Sequence, residues 1–334
     1  MTIRALREDE FDEHAELVYR SYTHEREIPA DSMLTHRDWW VRSIERDPCY
    51  EPEQTRVMEV DGRLVASVTC YYRPTYIAGR QVEASCIGSV CTHPDYRRRG
   101  YVREILTECV EWMTARRWEW SFLYGKAEVY GGSGWLNLAS LDLSTDLQLR
   151  DDAPSDFTER HADPDSDADI ALLTRLHERF NADLTGPTVR TEAYWRSRVL
   201  SSRPWGRGPT YTIVEGADGA ALGYYYRGGS EVREVAWADR PHEVLKAILR
   251  GADEGPINFR CLVPGLIEGL RELAAIPEQK QCLDGAGGIR MRQAYRGLWR
   301  LNPVPDPVVD VADTAALLRL LHDAGYVMWP ADGA

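Results

Sequence analysis

The sequence predicts an α/β chain of the α+β kind, built as two tandem domains of one strand-and-helix order, the second degenerate, with a short helix-and-strand tail. Three observations predict it. At 334 residues the chain is long for one domain, and two domains of ordinary size fit better. A β-like run, Ile87 to Thr92, passes through His93-Pro94-Asp95 into the basic stretch Arg97-Arg98-Arg99-Gly100-Tyr101-Val102-Arg103, which opens an amphipathic segment reaching Arg116. A stretch rich in Asp, Pro and Ser, Asp151 to Asp169, then separates this half from a weaker copy of the same order.

In the first half, Thr2 to Leu6 reads as a strand and Glu10 to Tyr22 as an amphipathic helix, with Phe11, Ala15, Leu17, Val18 and Tyr22 near helical spacing. Ser32 to Arg46 reads as a second helix. Arg56 to Val60 and Leu64 to Tyr72 flank Asp61-Gly62 and read as a β-hairpin. Ala78-Gly79-Arg80 turns the chain into the strand that feeds the basic loop. After the helix from Tyr101 come an apolar run, Ser121 to Tyr124, a short segment around Tyr130, and a closing strand region from Leu136 to Leu147.

Beyond the polar stretch, Ile170 to Asn181 and Arg190 to Ser201 read as helices, and Tyr211 to Glu215 with Ala221 to Arg227 as a hairpin across Gly216 to Gly219. Glu231 to Ala238 is a strand and His242 to Gly251 a helix. The loop between them, Asp239-Arg240-Pro241, has no arginine-and-glycine pattern, so a second copy would lack the anion site of the first. Thr314 to Ala324 (helix) and Tyr326 to Trp329 (strand) make the tail. The expected organisation is a first domain over residues 1–150, a linker over 151–169, a second domain over 170–307 and a tail over 308–334.

Composition bounds the function. With 43% apolar residues the chain can bury sizeable cores, yet no run approaches the ~20 apolar residues of a membrane span. Met1 to Leu6 has no cationic region leading into an apolar one, so a cytoplasmic protein without a membrane partner is expected. A net charge of −13 argues against nucleic acid as a partner, because phosphate neutralisation dominates that affinity. Seven cysteines without a Cys-x-x-Cys pair argue against a disulfide framework and against structural zinc, and no metal is expected. Three lysines against thirty-seven arginines fit the coding bias of a GC-rich bacterial genome. Neither a monomer nor a homo-oligomer is excluded.

A strand that hands over to a helix through a basic, glycine-bearing loop leaves backbone N–H groups unpaired, and such a loop binds a pyrophosphate. The glycine permits close approach and the arginines pair with phosphate oxygens. Tyr130-Gly131-Gly132-Ser133-Gly134-Trp135 places a tyrosine at a short turn; a tyrosine (pKa ~10) can donate a proton as a general acid while staying un-ionised at neutral pH. Glu25, Glu27, Asp31 and Asp38 with Trp39 and Trp40 read either as an amine-binding face or as a solvated surface over a tryptophan pair.

On Val90-Cys91-Thr92-His93-Pro94 and Arg97 to Val102, the first half resembles the GCN5-related N-acetyltransferases, whose fingerprint is Arg/Gln-x-x-Gly-x-Gly/Ala after a hydrophobic-x-hydrophobic-x-Pro strand. Val102 departs from it, standing where Gly or Ala is usual. The two-copy order resembles the tandem acetyltransferases, and Pro94-Asp95-Tyr96-Arg97-Arg98-Arg99-Gly100 is similar to a run in the enhanced-intracellular-survival family, whose third, sterol-carrier-like domain does not fit complete into the residues left here.

The resemblance implies acetyl-CoA, or another acyl-CoA, as co-substrate and the primary amine of a small molecule as acceptor. It implies that Val90 and Thr92 offer backbone groups to the pantetheine arm, that Arg97, Arg98, Arg99, Gly100, Tyr101, Val102 and Arg103 hold the pyrophosphate, and that Tyr130 is the acid. Trp39, Trp40 and Asp38 are acceptor-site candidates. For the base, Glu83, Glu128, His93 and, by analogy with the tandem family, the carboxylate of Ala334 stay open. Alternative readings are a mycothiol-synthase-like transferase acting on a cysteinyl amine and a CoA-binding module without turnover.

Overall fold

The computed structural model describes residues 1–204, 206, 208–250, 255–275 and 288–329. Its first half runs β1 (Thr2–Ala5), α1 (Phe11–Thr23), α2 (Arg37–Glu45), β2 (Thr55–Val60), β3 (Arg63–Tyr72), β4 (Thr75–Ile77), β5 (Arg80–Val82), β6 (Ala84–Thr92), α3 (Tyr101–Ala115), β7 (Trp120–Leu123), α4 (Ala127–Tyr130) and β8 (Leu136–Thr145). The second half runs β9 (Phe157–His161), α5 (Asp167–Asn181), α6 (Glu192–Tyr194) continuing into a π-helical turn, β10 (Tyr211–Gly216), β11 (Ala221–Gly228), β12 (Glu231–Trp237), α7 (His242–Leu249), β13 (Ile257–Phe259), α8 (Leu266–Leu273), β14 (Ile289–Leu301) and α9 (Thr314–Asp323).

Local chemistry accounts for most boundaries. The β2–β3 hairpin turns on Asp61 and Gly62, both at positive φ (50° and 77°), the pair of left-handed residues that matches strand twist. Ser166 and Asp313 cap α5 and α9, their side chains accepting from the amides of Asp169 and Ala316. No helix among the described residues is long and apolar enough to cross a membrane.

Twelve strands form one sheet in the order β1-β2-β3-β6-β7-β14-β8-β13-β12-β11-β10-β9, with β4 and β5 as a separate pair. Two neighbouring pairs are parallel, β6 with β7 and β12 with β13. Each pair soon diverges: Ala84 to Ile87 face Trp120 to Leu123, after which Gly88 to Thr92 have no β7 partner. In the second half only Glu231 and Val232 pair, with Asn258 and Phe259. There the tail packs in. Val327 and Trp329 share a core with Trp237 and Phe259, and the Cys261 thiol lies 3.1 Å from the Met328 carbonyl.

Three features depart from the sequence expectation. The polar stretch 151–169 holds an edge strand, β9, paired with β10, and the first turn of α5; only Phe157 of β9 is buried, so its pattern reads as linker. Residues 289–301, expected within the second domain, lie between β7 and β8, where Leu298 and Trp299 are fully buried. Tyr326 to Trp329 form no strand. The Val327 amide bonds to the Thr185 carbonyl at 2.8 Å and the Ser140 hydroxyl to the Tyr326 carbonyl at 2.8 Å, which satisfies this buried backbone without a ladder.

Candidate active site

The loop after β6 is built by capping and by two left-handed residues. The His93 Nδ1 accepts from the Asp95 amide (3.3 Å) and caps the 3₁₀ turn Pro94–Tyr96. Arg98 (φ 62°) and Gly100 (φ 88°) then swing the chain into α3, with Gly100 at the N-cap, where it offers no capping side chain. Among the described residues, the amides of Arg98, Arg99, Gly100, Tyr101, Val102 and Arg103 have no protein acceptor. They border a cleft of about 150 Å³ whose walls include Thr92, Arg98, Gly100, Val102, Arg103 and Val129. Unpaired donors at the start of a fifteen-residue helix are the arrangement that holds a phosphate group. A Cβ at Gly100 would come no nearer than 4.0 Å to Glu104, so the glycine is required by its φ rather than by space.

The arginines divide. Arg98 and Arg103 are exposed beside the cleft, with no protein partner for their guanidinium groups among the described residues. Arg99 stacks over Tyr96, 4.8 Å from the ring centre, and donates to the Asp95 carbonyl at 3.1 Å. Arg97 is not brought to the cleft as a side-chain ligand. Its guanidinium donates to the carbonyls of Ser21 (2.9 Å) and Thr92 (3.5 Å) and pins the end of α1 to the end of β6. Val102 packs its branched side chain on the core beneath the sheet, which leaves its amide clear.

The end of β6 is bulged. Its register with β3 slips between Ser67 and Thr69, and Ser89 takes φ 48°. Ser67 Oγ lies 3.3 Å from the Ser89 carbonyl, the Tyr71 and Ser89 hydroxyls are 2.9 Å apart, and the Tyr22 hydroxyl donates to the Val90 carbonyl at 3.1 Å. Sequence reasoning missed Tyr22, Ser67 and Tyr71 here. The only local signal is Gly88 in mid-strand, where a glycine marks bulges.

Tyr130 ends α4, half-buried, beside Val129 of the cleft wall. Its hydroxyl has no protein partner among the described residues. Burial, with a smaller contribution from Tyr295, raises its pKa, so it holds its proton at neutral pH.

The remaining candidates are scattered. Glu83 precedes β6, at the opposite end of that strand from the loop, and is exposed; its carbonyl bonds to the Glu119 amide (2.8 Å) and its carboxylate faces Tyr72. Nine strand residues at ~3.3 Å each separate it from the loop, so it is not brought to Val90. Glu128 is exposed on α4. His93 spends Nδ1 as the cap, and burial lowers its pKa, which leaves the proton of the neutral ring on Nε2. Asp38 is engaged by Arg37 at 2.6 Å, Trp39 is half-buried on α2, and the Trp40 side chain and Ala334 lie outside the described residues.

Residues 2–137 match the model of the acetyltransferase (GNAT) domain. The first part of the chain thus matches a domain of this class, and the protein is an acyl-transfer enzyme. Solved structures share its fold across both halves. A GCN5-related N-acetyltransferase from Anabaena variabilis ATCC 29413 is 13% identical over 90% of this chain and 72% of its own, with a TM-score of 0.62. One from Kribbella flavida is 16% identical, covering 90% and 70%, with a TM-score of 0.60. Eis1 from Mycobacterium abscessus is 16% identical, covering 89% and 74%, with a TM-score of 0.57. No curated protein matches the chain.

Proposed function

We propose that this enzyme moves an acetyl group from acetyl-CoA to the primary amine of a small molecule, aminoglycoside-like, polyamine or amino-acid-derived, by direct attack in the cytoplasm. The observation that carries the reading is the run of six loop amides without a protein acceptor among the described residues, in the same domain as the β6 edge that β7 has left and the Tyr130 hydroxyl. The amides of Arg98 to Arg103 take the pyrophosphate, with Arg98 and Arg103 as its charge partners. Val90 and Thr92 take the pantetheine arm along the strand edge that β7 has left, and a backbone N–H at Val90 polarises the thioester carbonyl.

The amine nitrogen attacks the carbonyl carbon. A C–N bond forms and the C–S bond breaks, the thiolate takes its proton from Tyr130, and the amine gives up a proton to water, which returns one to Tyr130.

Thiol release from acetyl-CoA and from longer acyl-CoAs, measured across a panel of amines, tests this. Release that depends on both acetyl-CoA and a small amine is expected. Tight acyl-CoA binding with no amine-dependent release would overturn it.

A further inference from the structure

The Ser89–Val90 peptide is the piece of backbone on which the proposed chemistry turns, and it is held in an unusual state. Ser89 is not a glycine yet has φ 48°, a conformation that L-residues adopt only where the surroundings enforce it. The surroundings are specific. Ser67 Oγ lies 3.3 Å from the Ser89 carbonyl, His14 Nε2 lies 3.0 Å from that same Oγ, and the Cys91 thiol is 3.1 Å from it. A carbonyl can only accept, so the hydroxyl proton of Ser67 goes to Ser89 and the Ser67 oxygen accepts from His14 Nε2–H. Both side chains are buried, His14 at 2% exposure and Ser67 at 0%.

Direction follows from planarity. In a trans peptide the C=O of residue 89 and the N–H of residue 90 point opposite ways. Ser67 sits on β3 and draws the carbonyl to that side, so the Val90 N–H points away from β3, toward the edge from which β7 has diverged. Tyr22 fixes the next carbonyl, that of Val90, from α1.

We infer that His14 and Ser67 are positioning residues for acyl transfer: by holding the Ser89 carbonyl they aim the Val90 N–H at the acyl oxygen. This rests on the reading of β6 as the acyl-CoA strand. Neither side chain touches substrate in this scheme; each acts through the peptide.

The test is Ser67→Ala, with His14→Ala and His14→Gln beside it, measured for kcat, acyl-CoA Kd and Tm. Ser67→Ala and His14→Ala should each lower kcat tenfold or more while Kd for acetyl-CoA stays within twofold, and His14→Gln, which keeps an N–H donor, should recover most of the loss. A second readout is independent of turnover. On adding a ketone analogue of acetyl-CoA, the Val90 amide resonance should shift in the parent and not in Ser67→Ala. Parent-like kcat in Ser67→Ala, or loss of kcat, affinity and Tm in proportion, would overturn the inference. A parent protein that binds no acetyl-CoA would instead overturn the reading on which it rests.

Discussion

The Tyr130 ring lies against Gly125: a Cβ at position 125 would stand 2.4 Å from Tyr130 Cε2, closer than any side chain tolerates. The carbonyl of the same glycine accepts from the Tyr295 hydroxyl at 3.0 Å. Gly125 therefore seats the proposed acid. Replacing it with alanine must push the ring aside, so Gly125→Ala should lower kcat by at least ~10-fold, toward the ~10²-fold loss expected for Tyr130→Phe at the low end of general-acid effects. Acetyl-CoA affinity should hold in both. Steady-state kinetics with chemistry rate-limiting, beside calorimetric binding, checks the split.

Gly100→Val should weaken acetyl-CoA binding by tenfold or more. The cause is conformational, since φ 88° is costly for a β-branched residue and the added carbon meets no backbone. The variant loop must rotate its amides away from the cleft. Isothermal titration measures the affinity, and an unchanged constant would remove the loop from the cofactor site.

Stability should fall as pH drops from about 6.5 to about 4. Burial lowers the His14 pKa from 6.5 to about 4, so in this window the unfolded chain binds a proton that the folded one refuses. The slope from this one group approaches ~1.4 kcal/mol per pH unit and vanishes below its folded pKa. Glu10 acts in a lower window: the Arg4 hydrogen bond holds its carboxyl at about 2, so its contribution is lost below pH 4.5. Urea melts at stepped pH should show His14→Gln with a flatter dependence between pH 6.5 and 4 than the parent. An identical slope would show that His14 does not titrate this way.

Glu234→Gln should destabilise the protein by about 3–5 kcal/mol while leaving acetyl-CoA affinity unchanged. Glu234 is buried, takes a two-pronged pair from Arg190 at 2.8 and 3.0 Å, and accepts from the hydroxyls of Tyr211 (2.8 Å) and Tyr224 (2.9 Å). The amide would remove the negative charge that Arg190 and the two tyrosine hydroxyls face in this buried site, far from the phosphate-binding loop in sequence and sheet order. Denaturant unfolding reads the loss.

Residues near in sequence wrote the first half plainly. The Asp61-Gly62 hairpin, the helical spacing of Phe11 to Tyr22, and the passage from Thr92 through Gly100 into α3 each depend on turn chemistry or periodicity within a dozen residues. The loop side of the candidate site is legible for the same reason, because an anion site made of backbone amides needs a glycine and a helix start. Side-chain roles were less legible: Arg97 bonds to Ser21, and nothing near Arg97 in the sequence distinguishes it from Arg98.

By itself, then, the sequence determined the order of strands and helices in the first half, the basic glycine-bearing loop that opens α3 and the placement of Tyr130 after β7. Tertiary structure alone decided that residues 289–301 enter the sheet between β7 and β8, that Val327 and Trp329 close the second parting of strands, and that His14 and Ser67 stand under the Ser89 bulge. The physical reason is range. Strand partners and buried polar contacts join residues from about fifty to more than a hundred and sixty positions apart, where hydrophobic pattern specifies that a face is buried but not against which partner.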